Sequence, residues 1–498
     1  MTEELSKIAQ IAIKDIKKNK PTEISFFETD DCIYEQVICE RCERCEYGRD
    51  TNKYIKYSKT EGKAEIVSEF QHDGMVYQPI RNKLTALKAI LLPTKSEEYQ
   101  SDDSLINEIS EFLFTYFEPP KYYESLLPYL VLFYWISDKF PFVPYLHFVG
   151  LTGTGKSTAL ETFGSICYKA INASGAITLA SIFRLAHQWR GTLLLDEFDL
   201  GGKNSESYSG MLQLLRSGVS NMPVFRTEGD RKKEVELYQI KSPRIFSSQN
   251  PIIDAALQSR TIVVKMTKNT KRVPLYRLNS YSDHAQSLRN KLLLWRLRKL
   301  NSIDLKTIEY GFPELSDFDG RVQQVLTPIY CLANDETRKK IVEFAREQEE
   351  ETKRERLEEI DGQIYLYISE HCKEDIALSA LTEFINSKRI KQGFKNTYTE
   401  RKFGNIIRKV LGFASERRND GYHLIIDQKH VEELAIYYGL ASSEYTQRTQ
   451  RTLEPENKTE DDSNGDIKET PEETFQTVED RYYQDSQLEG ELEVEDEN

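Results

Sequence analysis

The sequence predicts an α/β core that is preceded by a small, mostly β region and followed by a helical unit with a hairpin. Three observations support this fold class. Near residue 150, an apolar strand, a glycine-rich turn and a helix follow one another directly. About forty residues later, a second apolar strand ends in two carboxylates. After residue 361, three segments with helical periodicity precede two short strands around an Asp-Gly turn.

The charge of the chain is concentrated at its C-terminal end. The 498 residues carry a net charge of −14, of which residues 453–498 contribute −15 through eighteen acidic and three basic side chains. Residues 1–452 are therefore nearly neutral, so that binding to nucleic acid would depend on local basic patches. The N-terminus has no apolar signal core, and the apolar run Leu126–Ile136 is too short to span a bilayer. We expect a cytoplasmic protein that does not enter a membrane.

Shifts in composition and periodicity divide the chain into five parts. Short apolar runs between polar breaks predict strands in the first part, and dense acidic charge predicts disorder in the last, which we expect to bind a partner protein. The predicted parts are a mostly β domain at 1–100, the core with a helical lead-in and a helical lid at 104–335, a charged helical connector at 336–360, a compact unit at 361–441 and a disordered acidic tail at 442–498.

The glycine-rich turn matches the G-x(4)-G-K-[ST] pattern of a phosphate-binding loop. Its context is right, because residues 145–149 predict a strand before it and residues 158–167 a helix after it. In such a loop, backbone N–H groups surround phosphates, the lysine reaches the β- and γ-phosphates, and the serine hydroxyl binds Mg²⁺. We therefore expect ATP and Mg²⁺ as cofactors. The predicted nucleotide-binding residues are Gly150, Thr152, Gly153, Thr154, Gly155, Lys156, Ser157 and Thr158.

Two adjacent carboxylates follow the apolar strand at residues 192–195. Asp196 is placed to hold Mg²⁺ together with Ser157, and Glu197 is placed to polarise the attacking water as general base, with Lys156 stabilising the transferred phosphoryl group. A solvated acidic strand end is the alternative reading. The phosphate-binding loop at this distance favours the catalytic role.

Two further residues are candidates for sensing or completing an ATP site. Asn250 ends a third predicted strand, where its amide would contact the γ-phosphate, although Asn-Pro is also an ordinary turn initiator. Arg260 is predicted to project from the surface of a subunit, where it would reach the γ-phosphate bound by a neighbour, or form a surface salt bridge.

The order of these motifs resembles that of AAA+ ATPases with a P-loop core. More narrowly, residues 104–330 are similar to the helicase-type ATPases of plasmids, phages and archaeal viruses, near the superfamily 3 helicases. The resemblance implies a homo-oligomeric ring, expected to be a hexamer, and a helical lid in which Arg321 would be a second sensor arginine. It is carried further by the segments Pro144–Gly150, Ala180–Arg184, Leu215–Gly218 and Val224–Arg226.

A basic turn lies between two predicted strands just before the strand that ends at Asn250. Arg231, Lys232 and Lys233 are adjacent in this turn. A hairpin with such a tip resembles the pore hairpin with which these helicases grip single-stranded DNA, because contact with phosphates requires only positive charge. A solvated basic turn is an equally good interpretation.

The compact unit at 361–441 resembles a winged helix. Three predicted helices are followed by a hairpin, and basic residues are concentrated on the third helix and the hairpin. Such a helix enters the major groove of duplex DNA, while hairpin arginines contact phosphates; docking of a protein is the alternative. The predicted DNA-binding residues of this unit are Arg401, Lys402, Arg408, Lys409, Arg417 and Arg418.

Four cysteines near residue 40 form a C-x(6)-C-x(2)-C-x(2)-C pattern. Cys32, Cys39, Cys42 and Cys45 would provide four thiolates for a structural Zn²⁺, and iron–sulfur ligation uses similarly close spacings. Free thiols explain the pattern equally well, because Cys32 falls in a predicted strand.

We expect from these features an ATP-hydrolysing DNA helicase or translocase in the replication of a mobile element or virus, whose acidic tail binds a replication partner. Two other classes remain open. One is an ATP-switched DNA-binding initiator or regulator that does not unwind DNA, and the other is an AAA+ protein remodeller.

Overall fold

The computed structural model describes residues 21–39, 51–173, 177–197, 206–227, 235–252, 254–300, 302–303, 305–372, 374–391 and 397–440. The chain forms two compact units, residues 1–346 and residues 347–498, each with its own hydrophobic core. The predicted acidic tail lies outside the described residues. Within the described ranges, no helix has both the length and the apolar character needed to cross a membrane.

Two small sheets form the N-terminal part of the first unit. Their strands are β1 (Thr22–Glu23), β2 (Phe26–Glu28), β3 (Cys32–Ile38), β4 (Asn52–Ser58), β5 (Ala64–Val67), β6 (Phe70–His72) and β7 (Met75–Gln78). One sheet has the order β2-β3-β4-β5 and is antiparallel, and the other has the order β1-β7-β6. Aromatic rings pack between them, which confirms the mostly β character of this region. The rings in contact belong to Phe27, Tyr34, Tyr54, Phe70 and Tyr77.

A six-stranded sheet forms the centre of the first unit. Its strands are β8 (Ile90–Leu91), β9 (Tyr145–Val149), β10 (Ala170–Asn172), β11 (Leu193–Leu195), β14 (Arg244–Ser248) and β15 (Thr261–Lys265), and a separate hairpin consists of β12 (Val224–Thr227) and β13 (Val235–Tyr238). The order is β15-β9-β14-β11-β10-β8. The first five strands are parallel to one another, and β8 is antiparallel to β10. The buried apolar runs of the parallel strands are typical of a sheet covered on both faces.

Helices cover this sheet. They are α1 (Lys83–Ala86), α2 (Asp102–Tyr116), α3 (Lys121–Ile136), α4 (Lys156–Ser165), α5 (Leu179–Trp189), α6 (Glu206–Ser217), α7 (Ala255–Gln258), α8 (Asn279–Lys299), α9 (Gly320–Leu332) and α10 (Asp335–Glu358), with 3₁₀ turns at Ser137–Lys139, Leu305–Ile308 and Pro313–Leu315. The apolar run at Leu126–Ile136 lies in α3, where every one of these residues is buried. This run is therefore a core helix.

Three buried charged side chains and the partly exposed Asp138 lie together where the N-terminal region meets the core. We call Glu35, Asp138, Lys169 and Arg296 the buried ion cluster. Arg296 donates to Glu35 at 2.7 Å and to Asp138 at 2.7 and 2.9 Å, and Lys169 lies 3.1 Å from Glu35. Burial lowers the pKa of Lys169 to about 8. Burial raises the pKa of Asp138, but the neighbouring Arg296 guanidinium lowers it further, so that the pKa lies below its usual value.

The packing of this unit adds two features that the sequence did not indicate. The predicted boundary near residue 100 does not coincide with a break in packing, because β8 extends the central sheet and Glu35 belongs to the buried ion cluster. The helix α8, which follows the predicted core, is joined to α4 by side-chain hydrogen bonds. Tyr281 donates to the carbonyl of Glu161 at 3.5 Å and Arg289 to that of Ser165 at 2.5 Å. Periodicity predicted the helix, but not the surface against which it packs.

The second unit contains helices around a small antiparallel sheet. Its elements are α11 (Ile360–His371), β16 (Ile376–Ala377), α12 (Leu378–Lys391), α13 (Glu400–Asn405), a π-helical turn at Ile406–Val410, β17 (Ser415–Arg418), β18 (Gly421–Leu424) and α14 (Gln428–Tyr437). The strand order is β16-β18-β17. The three predicted helices and the hairpin are present. The structure adds a third strand, β16, whose two residues are too few to give a periodic pattern in the sequence. The predicted charged connector is helical, as α10.

Candidate functional site

The carboxyl ends of three neighbouring parallel strands bring the predicted ATP-site residues to one edge of the sheet. β9 leads into the glycine-rich loop, β11 into Asp196 and Glu197, and β14 into Asn250. Because β14 lies between β9 and β11, these three segments are neighbours in space although about fifty residues separate each from the next. Ligands of open α/β sheets bind at such an edge.

The loop has the backbone geometry that its glycines allow. Gly153 and Gly155 have φ values of 82° and 83°, in the left-handed region that glycine adopts readily. At Gly150, a Cβ atom would lie 2.4 Å from the carbonyl oxygen of Met266, so only glycine fits beside the end of β15. The Lys156 Nζ donates to the carbonyl of Leu151 at 2.8 Å, within this loop.

Asp196 accepts several hydrogen bonds at this edge. We call the residues around it the sheet-edge cluster: Lys156, Ser157, Asp196, Glu197 and Ser247. The Ser157 hydroxyl donates to Asp196 Oδ1 at 3.1 Å, and the backbone N–H of Glu197 donates to the same oxygen at 3.0 Å. The buried Ser247 hydroxyl also donates to it. Contact between Ser157 and Asp196 across 39 residues brings together an oxygen pair of the kind that hard cations prefer.

Sequence reasoning missed Ser247. The signal was the pair of serines that ends β14, since a buried hydroxyl needs a hydrogen-bond partner. In the structure that partner is Asp196, so Ser247 orients the carboxylate that was predicted to hold Mg²⁺.

Glu197 is exposed and has an unusual backbone conformation. Its φ of 50° lies in the left-handed region, which a residue with a Cβ atom seldom occupies. The left-handed turn comes directly after Asp196, at the end of β11. The carboxylate therefore stands at the sheet edge, accessible to solvent.

Asn250 is held at the same edge by a short relay. His147 Nε2 lies 2.7 Å from the Ser248 hydroxyl, which donates to the Asn250 carbonyl at 2.5 Å. The Asn250 side chain is exposed. Burial lowers the pKa of His147 to about 4, so the ring is neutral at neutral pH and can share a proton with Ser248.

Arg260 and Arg321 are not brought to this edge. Arg260 precedes the amino end of β15, whereas the loop follows the carboxyl end of the neighbouring β9, so the length of a five-residue strand, about 16 Å, separates them. Its guanidinium donates to the carbonyl of Ala256 at 2.6 Å. Arg321 lies in the first turn of α9 and donates to Gln324 at 2.9 Å. Arg260 could therefore contact a γ-phosphate only if that phosphate were bound by a neighbouring subunit.

The predicted DNA-binding residues of the second unit differ in how they are held. Arg401, Lys402 and Lys409 are exposed along α13 and the turn after it, and Arg417 is exposed on β17. Arg408 donates to Ser415 at 3.2 Å. Arg418, also exposed on β17, differs from these because its guanidinium forms an ion pair with Asp375. That pairing raises the pKa of Arg418 and lowers that of Asp375.

The basic turn at Arg231, Lys232 and Lys233 lies outside the described residues. The strands on either side of it are described and pair in antiparallel register from Val224↔Tyr238 to Thr227↔Val235. A hairpin is therefore present where the sequence predicted one.

The predicted four-cysteine metal site is contradicted for one pair. Cys32 begins β3 and Cys39 directly follows its end, and the register with β4 is continuous between them. Seven residues of extended strand separate them by about 23 Å, whereas thiolates on one Zn²⁺ each lie ~2.3 Å from the metal. Cys42 and Cys45 lie outside the described residues. Among the residues that are described, no group of three or more potential ligands is suited to hold a metal ion.

No protein-family model matches the sequence, and no curated protein is detectably similar. Three solved apo structures of the NrS-1 C-terminal region are similar at 12–14% sequence identity, with TM-scores of 0.34 and 0.35. In each case the match covers 79% of this chain and 96% of the other.

Proposed function

We propose that this chain is an ATP hydrolase that moves on DNA, as a helicase or translocase in the replication of a mobile element or virus. The observation that carries the proposal is the convergence of the glycine-rich loop, Asp196, Glu197 and Asn250 at one edge of a parallel sheet. Acidic strand ends and glycine-rich turns are common separately. Their contact through Ser157 and Asp196 at 3.1 Å supports a single site.

The residues of the sheet-edge cluster fit ATP with Mg²⁺. The loop offers backbone N–H groups and a helix N-terminus to the phosphates, and its space beside Met266 tolerates no side chain. Ser157 and Asp196 would hold Mg²⁺, which neutralises phosphate charge when bound. Lys156 exchanges the Leu151 carbonyl for a phosphate oxygen. The exposed Glu197 carboxylate orients and deprotonates the attacking water, and Asn250 contacts the γ-phosphate.

Arg260 completes the site of a neighbouring subunit in this proposal. Its position at the opposite edge of the sheet from the loop supports an assembly in which the loop edge of one subunit faces the Arg260 edge of the next. A repeated contact of that kind closes into a ring, for which a hexamer is expected. The arginine would offset charge in the transition state.

Two surfaces would contact DNA. The β12–β13 hairpin would place Arg231, Lys232 and Lys233 against a single strand. The second unit has the helix and strand order of a winged helix, with the exposed Arg401 and Lys409 on its third helix and the turn after it. This basic surface also supports the alternative of an initiator or regulator that binds a DNA site without unwinding it.

The first experiment measures ATP hydrolysis with and without single-stranded DNA for the wild type and Glu197→Gln. Stimulation by DNA that is lost in Glu197→Gln supports the motor, and Glu336→Gln, on the exposed face of α10, is the matched control that should retain activity. Hydrolysis that DNA does not change would favour the remodeller. Stimulated hydrolysis without strand displacement would favour the regulator.

A second experiment tests the shared site. Arg260→Ala and Lys156→Ala should each be inactive, whereas mixing them should restore part of the activity, because some interfaces then combine an intact loop with an intact arginine. Mixtures that stay inactive at every ratio would contradict a role for Arg260 in a neighbouring subunit.

A further inference from the structure

The segment that follows β15 runs beside the glycine-rich loop. Met266 continues the pairing of β15 with β9, because its backbone N–H donates to the Val149 carbonyl at 2.7 Å. Its own carbonyl is the group that would meet a Cβ atom at Gly150. The segment therefore starts against the first residue of the loop.

Two anchors fix the course of this segment. Glu118 accepts hydrogen bonds from the backbone N–H and the hydroxyl of Thr270, at 2.6 and 2.7 Å, and from the N–H of Lys271 at 3.1 Å. Further along, Arg277 forms an ion pair with Glu161 and donates to the Thr158 carbonyl at 3.2 Å. Both of these Arg277 partners lie on α4, the helix that begins at the loop.

The second anchor lies close to the phosphate-binding end of α4. Thr158 is two residues beyond Lys156, which corresponds to about 3 Å along the helix axis. The Arg277 guanidinium also lies over the Tyr281 ring, 5.2 Å from its centroid, which restricts its movement. The backbone on both sides of Arg277 is thus held within a nucleotide's length of the loop.

Large apolar side chains flank this anchor and are exposed. Leu275, Tyr276 and Leu278 have relative exposures of 89%, 79% and 71%. Three such residues within four positions, on a segment that is fastened at both ends, form an exposed apolar patch of the kind that marks a binding surface. The anchors use polar groups only, so these side chains are not needed to hold the segment in place.

We propose that Leu275, Tyr276 and Leu278 form the platform that binds the base of the nucleotide, with Tyr276 stacking against its ring. The proposal rests on the proposed function, because it takes the phosphates to be in the loop. An aromatic ring is suited to this occupant, since stacking on a nucleobase needs only a flat apolar face. Arg277 is a positioning residue that fixes the platform relative to α4.

The test separates the base from the phosphates. Calorimetric titration of the full chain with ADP and with inorganic tripolyphosphate, both with Mg²⁺, is compared for the wild type, Tyr276→Ala and Tyr276→Phe. We expect Tyr276→Ala to weaken ADP binding about tenfold or more and to leave tripolyphosphate binding unchanged, with Tyr276→Phe close to the wild type. Tyr310→Ala is the matched control, because Tyr310 is 91% exposed and lies beyond α8, outside the segment that the two anchors hold.

Steady-state hydrolysis gives an independent readout. Tyr276→Ala should raise KM for ATP and leave kcat within about twofold, because the platform touches no reacting group. ADP affinity that is unchanged in Tyr276→Ala overturns the platform, and so does equal weakening of both ligands. If Tyr276→Ala disrupts assembly in sedimentation while ADP affinity stays the same, the surface is a subunit contact instead.

Failure of the proposed function gives a different result. A wild-type chain that binds neither ADP nor tripolyphosphate, with no effect of Lys156→Ala, would overturn the ATP site and the platform together. Tripolyphosphate binding that depends on Lys156, without any preference for ADP, would leave the phosphate site standing and overturn the platform alone.

Discussion

The buried ion cluster and the sheet-edge cluster contain similar side chains that are held in different ways. Glu35, Lys169 and Arg296 are almost completely inaccessible, and each charge lies within 3.1 Å of an opposite one. At the sheet edge, Lys156 donates to a backbone carbonyl and Asp196 accepts from hydroxyls. Charges that neutralise each other hold the fold together. At the sheet edge, Lys156 and Asp196 can exchange hydrogen bonds with a carbonyl or a hydroxyl for contacts with a phosphate or a metal ion.

The largest effect should come from breaking the buried ion cluster. Glu35→Ala leaves Lys169 and Arg296 with fewer counter-charges in a buried site, and we expect it to lower the free energy of unfolding by about 3–5 kcal/mol. Urea unfolding measures the change. Glu98→Ala is the control, because Glu98 pairs with Arg298 while its side chain is 74% exposed, so its loss should cost less than about 1 kcal/mol. Similar losses in both variants would contradict the contrast between the clusters.

A pH titration tests the one buried histidine that adjoins the sheet edge. The pKa of His147 is about 4 in the folded chain, against 6.5 for an ordinary histidine. Between these values the unfolded chain binds a proton that the folded chain does not, so stability should fall as pH drops from about 6.5 to about 4, by at most about 3 kcal/mol. The part of the fall that is due to His147 should be absent from His147→Gln, so the stability difference between wild type and variant should itself change over this pH range. A variant with the same pH profile as the wild type would disprove the assignment.

A smaller effect is expected when the sheet-edge cluster loses its buried hydroxyl. Ser247→Ala removes a donor that orients Asp196, and we expect the Mg²⁺ concentration for half-maximal hydrolysis to rise about tenfold, as for other residues that support metal ligands. Unfolding by urea should change little. Ser259→Ala, whose exposed hydroxyl bonds within its own turn, is the control. An unchanged Mg²⁺ requirement would show that Asp196 keeps its orientation without Ser247.

The smallest effects concern two arginines of the second unit. Arg418 is paired with a carboxylate, as in the buried ion cluster, whereas Arg401 is exposed on α13. Arg418→Ala removes the solvent-exposed ion pair with Asp375 and should lower stability only slightly, with DNA affinity nearly unchanged. Arg401→Ala should instead reduce affinity for duplex DNA and lower its dependence on salt, at constant stability. Fluorescence anisotropy at several salt concentrations distinguishes the two. Loss of affinity in Arg418→Ala alone would reverse this assignment.

Local patterns predicted much of the fold because they report on single elements. The strand before Gly150, the carboxylates after β11 and the helices of the second unit are all present near their predicted bounds. What escaped prediction depends on long-range packing. Neither the place of β8 in the central sheet nor the course of α8 along α4 leaves a periodic signal in the sequence.

The candidate site was predictable to the same extent. Loop and strand-end residues belong to motifs, so Lys156, Asp196 and Glu197 could be named. Ser247 could not, because a serine in a strand has no characteristic partner until the neighbouring strands are known. Leu275 and Tyr276 were missed for a related reason, since an exposed apolar pair becomes informative only when the loop beside it is seen.

The contact between Glu35 and Arg296 also sets a condition on when the chain can fold during synthesis. The two residues are separated by 261 positions, a distance that takes roughly 13 to 50 s to translate. Until Arg296 has left the ribosome, the Glu35 carboxylate in β3 and the Lys169 ammonium group just before β10 lack their guanidinium partner. Residues 21–300 are therefore expected to reach their final packing in one late step, and a nascent chain shorter than this would depend on chaperones to keep its strand edges from pairing with other chains.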